Sequence, residues 1–120
     1  MVSPQKDISS DEADKIIAYL ENGGKAMFFV DYTESKLENL NRVLENYGVT
    51  THSGIVLEGN SQNYIMQTPY YMLPNVQSVD FTEDIINAHK YILFAIAQPF
   101  KILESYRDTL NVQPFLLTSD

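Results

Sequence analysis

Two carboxylates stand where a small α/β domain can do chemistry. Asp31 closes the apolar run 26–30 (AMFFV), and Glu58 closes the run 54–58 (GIVLE). In open parallel sheets ligands bind beyond the carboxyl ends of strands, so both acids are candidate ligand-facing groups. Brought close together, they would hold Mg²⁺ or divide general acid and base work, as in a hydrolase. A solvated acidic rim, with Asp31 helping to cap the helix after it, is the plainer reading. The second candidate set is Tyr64, Tyr70 and Tyr71, with Tyr91 further along. Aromatic rings on an irregular segment stack on a sugar or polymer, or anchor a protein partner. Met66, Met72 and Leu73 in the same segment also need burial, which favours these rings as a roof over a sheet.

Other chemistry has little to draw on. The 120 residues contain no Cys, which excludes disulfides, thiolate metal sites, CxxC redox motifs and a cysteine nucleophile. His52 and His89 are the only histidines, and HExxH is absent. Residues 59–63 (GNSQN) fail as a nucleophile elbow at the final Gly. Neither GxGxxG nor GxxxxGK[ST] occurs, so Gly23-Gly24 reads as a helix cap. A phosphoacceptor receiver domain would need an acidic pair at an early strand end and a Lys after its last strand. No Lys follows Lys101. No metal and no cofactor are expected.

Charge narrows the partners. Eight Lys and Arg against sixteen Asp and Glu give a net charge of −8, which argues against nucleic acid or an anionic lipid surface. The apolar share of 44% suits one folded domain over residues 1–120. The longest apolar run, 91–97 (YILFAIA), is far short of the roughly 18–20 residues that span a bilayer. No direct membrane insertion is expected of it.

The elements that must position these residues are legible to different degrees. Ser9 and Glu12 form an S-x-x-E capping box, and Ala13, Ile16, Ile17 and Leu20 make one apolar stripe, predicting a helix over 10–22. Ser35 and Glu38 repeat the capping signal. Leu37, Leu40, Leu44 and Tyr47 then predict a second helix over 35–47, ended by Gly48. The continuous apolar runs 26–30, 54–58 and 91–97 read as strands buried on both faces. Residues 59–79 are irregular, with a short strand near 64–67. A short helix capped by Asp80 or Thr82 and a last strand over 112–118 follow. Alternating helix and strand predict right-handed crossovers and a three-layer α/β fold with a mainly parallel, flavodoxin-like sheet. Its expected core is Ile16, Ile17, Leu20, Phe28, Val30, Leu40, Leu44, Ile92 and Phe94.

A longer pattern runs through these elements. Pro4, Lys6, Asp7, Glu12, Tyr19, Leu20, Gly23, Gly24, Lys25 and Asp31 are followed by Leu40, Leu44, Tyr47, Gly48 and Val49. The strand at 54–58, Leu73-Pro74, the run 91–97 and the closing LLTS at 116–119 complete it. This pattern resembles the auxiliary components of uncharacterised ABC-type transport systems linked to gliding motility.

The resemblance implies a domain on the extracytoplasmic face of the cytoplasmic membrane, held between membrane-spanning segments of a larger protein. Its implied partners are an ABC permease and an ATPase. It also implies a fold similar to class I glutamine amidotransferases, whose chemistry needs a Cys this chain lacks. In the family a strand precedes the Pro4 to Asp7 loop, so this chain is expected to be a fragment with an open sheet edge, prone to homo-oligomers. The expected role is a non-catalytic module that binds a partner or ligand for the permease. The alternatives are a sugar- or polymer-binding module using Tyr64, Tyr70 and Tyr71, or a hydrolase using Asp31 and Glu58.

Overall fold

In the computed structural model, which describes residues 1–119, the element order is α1 (Ser10–Glu21), α2 (Glu38–Glu45), β1 (Val49–Thr51), β2 (Tyr71–Met72), β3 (Asn75–Val76), α3 (Glu83–Asn87), β4 (Phe94–Ala95), β5 (Phe100–Ile102) and β6 (Leu116–Leu117). These fall into two compact units. The first joins Met1–Gly54 to Gln98–Val112; the second joins Ile55–Ala97 to the residues from Gln113 onward.

The first unit is built on the two helices. Ser9 caps α1 as expected: its Oγ accepts from the Glu12 N–H at 3.2 Å, and its own N–H donates to the Glu12 carboxylate at 2.8 Å. Two glycines end the helix for different reasons. Gly23 has φ +85°, the left-handed conformation that costs other residues energy. Gly24 lies so close to Tyr19 that a Cβ would sit 2.5 Å from the Tyr19 carbonyl oxygen. Helix α2 buries Leu40, Asn41, Val43 and Leu44. Val30, Leu37, Leu40 and Leu44 form the core cluster, with Phe28 packed against it. Antiparallel β1 and β5 pair in the register Val49↔Ile102, Thr50↔Lys101 and Thr51↔Phe100.

The second unit is a set of short hairpin-like pairings. β2 pairs antiparallel with β4, and β3 with β6. Residue Tyr64 bridges to Met72, the buried apolar side chain of this unit. The Thr82 hydroxyl organises the approach to α3, donating to the Gln77 carbonyl at 2.6 Å and accepting from the Val79 N–H at 2.9 Å.

The expected three-layer, mainly parallel sheet, flavodoxin-like or amidotransferase-like, is therefore replaced by three two-stranded antiparallel sheets. Val2 and Phe29 form an isolated parallel bridge. The reason lies in the apolar runs. In 26–30, Phe28 and Val30 turn inward while Met27 and Phe29 stay exposed. In 54–58, Ile55 and Leu57 are exposed and the buried side chain is Glu58. Each run thus covers one face only, which is the pattern of a half-solvated strand. The run 91–97 keeps two strand residues, because Ile96 adopts φ +53° directly after β4.

The core is redistributed accordingly. Val30, Leu40 and Leu44 are buried as expected, while Ile16, Ile17, Leu20, Phe28, Ile92 and Phe94 are half-buried. Ala13, Leu37, Val43 and Met72 complete it. Helix α1 closely follows its expected span, whereas α2 starts three residues later than expected.

Candidate functional site

The candidate carboxylates fall in different units. Asp31 is exposed, in the first unit, with no side-chain hydrogen bond or ion pair among the described residues. Glu58 belongs to the second unit and is 2% exposed. Its carboxylate accepts from the Asn60 N–H at 2.8 Å, the Ser119 N–H at 3.1 Å and the Ser119 hydroxyl. Burial pushes the Glu58 carboxyl upward, but these hydrogen bonds outweigh it and hold the group below its ordinary range. Both oxygens are committed to tying the turn after Glu58 to the C-terminal segment.

The tyrosines share the second unit. Tyr64 and Tyr71 are half-buried and Tyr70 is 39% exposed. The Tyr70 and Tyr71 rings lie 5.0 Å apart and tilt by 56°, so they do not form one flat platform. His52 and His89 are exposed, and no cluster of metal-ligating side chains occurs among the described residues.

A carboxylate that the motif reading left without a role turns out to be structural. Helix α2 has Leu37 at its N-cap, with no side-chain cap of its own. Asp7 supplies it from a distant loop. One oxygen accepts from the Asn39 N–H at 2.8 Å and the other from the Leu40 N–H at 3.0 Å. Partial burial pushes the Asp7 carboxyl upward, but the backbone N–H groups of Asn39, Leu40 and Ile8 and the Asn39 side chain bring it below its ordinary value. The expected Ser35–Glu38 box does not form.

Two cavities open in the first unit. The larger, about 400 Å³, is lined by apolar side chains including Leu20, Phe28, Val43, Leu44 and Phe100. Tyr47 also lines it, and the Tyr47 hydroxyl is buried without a partner among the described residues. The smaller, about 320 Å³, lies at the 33–37 loop before α2 and the end of β1. Its polar lining includes Ser35, Lys36, Asn41, His52, Ser53 and Gln98. Asn41 carried a readable signal: it sits four residues after Leu37, within the apolar stripe of α2.

A family model for an ABC-type uncharacterized transport system matches residues 1–120. The chain belongs to this family. It is accordingly an auxiliary component of an ABC transport system. The match is to the transport family as a whole and not to a gliding-motility branch of it. No curated protein and no solved structure matches the chain. Among the described residues, no helix of this transport-system component is long and apolar enough to cross a membrane. Its shared motif is largely architectural: Asp7 caps α2, while Tyr19, Gly23 and Gly24 build the end of α1.

Proposed function

We propose that the chain is a non-catalytic extracytoplasmic module that docks on the permease of its own transport system. The observation that carries this reading is the family match over residues 1–120. The site chemistry supports it. Of the two acids that a hydrolase would use, Glu58 is committed to Ser119 and Asn60. The tilt of Tyr70 against Tyr71 favours a protein contact over a sugar-stacking platform.

A docking face is available in the first unit. Met1 to Ser3 runs beside 27–29, held by the Phe29 N–H to the Met1 carbonyl at 3.0 Å and the Ser3 N–H to the Phe29 carbonyl at 2.7 Å. Val2 and Phe29 are bridge partners and so share a side, which Met27 joins by the period of two. They are 73%, 48% and 69% exposed, an apolar cluster unlike a scattered surface residue. Of the candidate acids and tyrosines, Asp31, Tyr70 and Tyr91 are exposed and able to reach a partner.

Co-expression with the permease of such a transport system tests the reading. A tagged chain is expected to co-purify with the permease, and Met27→Glu with Phe29→Glu to lose most of the captured permease while keeping its circular dichroism. Absence of capture by the wild-type chain would count against the proposal.

A further inference from the structure

An asparagine followed by glycine can modify itself, and Asn22-Gly23 is the one such pair in the sequence. Gly23 has no Cβ, so its backbone nitrogen can swing against the Asn22 side chain unhindered. That nitrogen attacks Cγ: the N–Cγ bond forms, the Cγ–Nδ2 bond breaks, and ammonia leaves with the proton that the Gly23 nitrogen gives up. Water then opens the succinimide ring at either carbonyl. The products are aspartate and isoaspartate, the latter with the backbone routed through the side chain.

The folded chain keeps the two reacting groups apart. Asn22 is exposed at the C-cap of α1, with φ −83° and ψ 17°. Its Nδ2 donates to the Ala18 carbonyl at 2.7 Å, one turn back along the helix, whereas Gly23 lies onward in the chain. A carbonyl can only accept, so the NH₂ end of the amide is the one turned toward Ala18. The attacking nitrogen is also engaged: the Gly23 N–H donates to the Leu20 carbonyl at 3.0 Å, and the Gly24 N–H to the Tyr19 carbonyl at 3.0 Å. Attack requires the Asn22–Ala18 and Gly23–Leu20 bonds to open together, and these bonds are the cap itself.

The product does not restore that cap. A carboxylate replaces the Nδ2 donor at the C-terminal end of α1, where the helix dipole is already negative. Glu21 stands beside it, and the last turn holds no basic residue to offset it. Isoaspartate also adds a backbone methylene ahead of Gly23, which takes the Gly23 and Gly24 N–H groups out of register with their carbonyls. Tyr19 carries the change onward, because its ring lies against Gly24 and its hydroxyl donates to the Lys25 carbonyl at 3.4 Å.

We propose that Asn22 is a deamidation site gated by the C-cap of α1: the amide survives while the cap is closed and is lost when the end of α1 opens. The inference goes beyond the docking reading and does not depend on it, because the reaction needs one chain and water.

The test follows the whole chain at mildly alkaline pH, folded and in guanidinium chloride, by peptide mapping with mass spectrometry and isoaspartate detection. Asn22 is expected to convert first among the asparagines, and roughly tenfold or more slowly in the folded chain than in the unfolded one. Hydrogen exchange of the Gly23 amide passes through the same opening, so its protection is expected to match that retardation within about threefold. Gly24→Ala, whose Cβ would lie 2.5 Å from the Tyr19 carbonyl oxygen, is expected to speed conversion in the folded chain several-fold and leave the unfolded rate unchanged. If Gly24→Ala does not fold, the match between exchange and conversion in the wild type decides alone. The proposal is overturned if another asparagine converts ahead of Asn22, or if the folded chain converts Asn22 as fast as the unfolded one. It is equally overturned if Gly23 protection and the retardation differ by more than about tenfold, or if folded Gly24→Ala converts no faster than wild type.

Discussion

Asp7 does for α2 what no residue of that helix does for itself. Its two oxygens close the Asn39 and Leu40 N–H groups from more than thirty residues away, so the cap also fastens the N-terminal loop to the second helix. Removing a capping oxygen from a helix start costs about 1–2 kcal/mol, and Asp7→Ala is expected to lower unfolding stability by that amount. The pH dependence follows from the direction of the shift. Asp7 and Glu58 both have folded values below their ordinary ones, so the unfolded chain takes up those protons first. Their contribution is complete above about pH 5 and is lost as pH falls through the ordinary values near 4 and then the lower folded ones. Asp7→Ala is expected to shrink the acid-side loss of stability without changing the neutral-pH slope. Urea unfolding between pH 3 and pH 7 reads this directly, at about half-unit steps; an unchanged acid limb in the variant would show that Asp7 is not the cap. Nothing in the spacing of Asp7 announces this role, because capping across sequence-distant segments depends on tertiary approach.

At the scale of elements, local signals were readable and pairing was not. The Ser9 box and Gly23-Gly24 define α1 because both its ends are fixed by residues directly flanking it. The α2 stripe was equally plain, but its start moved to Glu38 once Asp7 replaced the local cap. The apolar runs misled because a run alone does not say whether one face or two are covered; Met27, Ile55, Leu57 and Tyr91 lie open. Of the candidate site, the acids and tyrosines stood out by type, while Asn41 showed only by its position, a polar residue on the apolar stripe of α2. One turn breaks its own local rules. Met66 and Gln67 both have positive φ, 56° and 55°, and the Thr68 N–H donates to the Ile65 carbonyl at 3.0 Å, a type I′ pattern. Such turns favour Asn-Gly, and a non-glycine residue in the left-handed region costs about 1 kcal/mol or more. Met66 is largely exposed, so its side chain contributes little packing. The double substitution Met66→Asn and Gln67→Gly is expected to stabilise the chain by about 1–2 kcal/mol, raising Tm by several degrees. A thermal melt at or below the wild-type midpoint would mean that the turn is not held in this conformation.

At the scale of the whole molecule, two opposing terms govern association. Every sheet is two-stranded, so each strand has one edge without a partner in its own sheet. Such edges, together with the apolar side chains of Val2, Met27 and Phe29, attract a second copy. The strands are only two or three residues long, which limits what each edge can gain. Against them stands a net charge of −8, which makes two copies repel. Salt weakens only the second term: the screening length falls from about 30 Å at 0.01 M to about 3 Å at 1 M. Weak, reversible self-association that strengthens with sodium chloride is therefore expected of the isolated chain. Sedimentation velocity at high protein concentration would show the weight-average mass rising across that salt range, and Phe29→Glu would reduce the rise by adding charge where the apolar face is. A monomer at every salt concentration would remove the edges and the apolar face as sources of self-pairing.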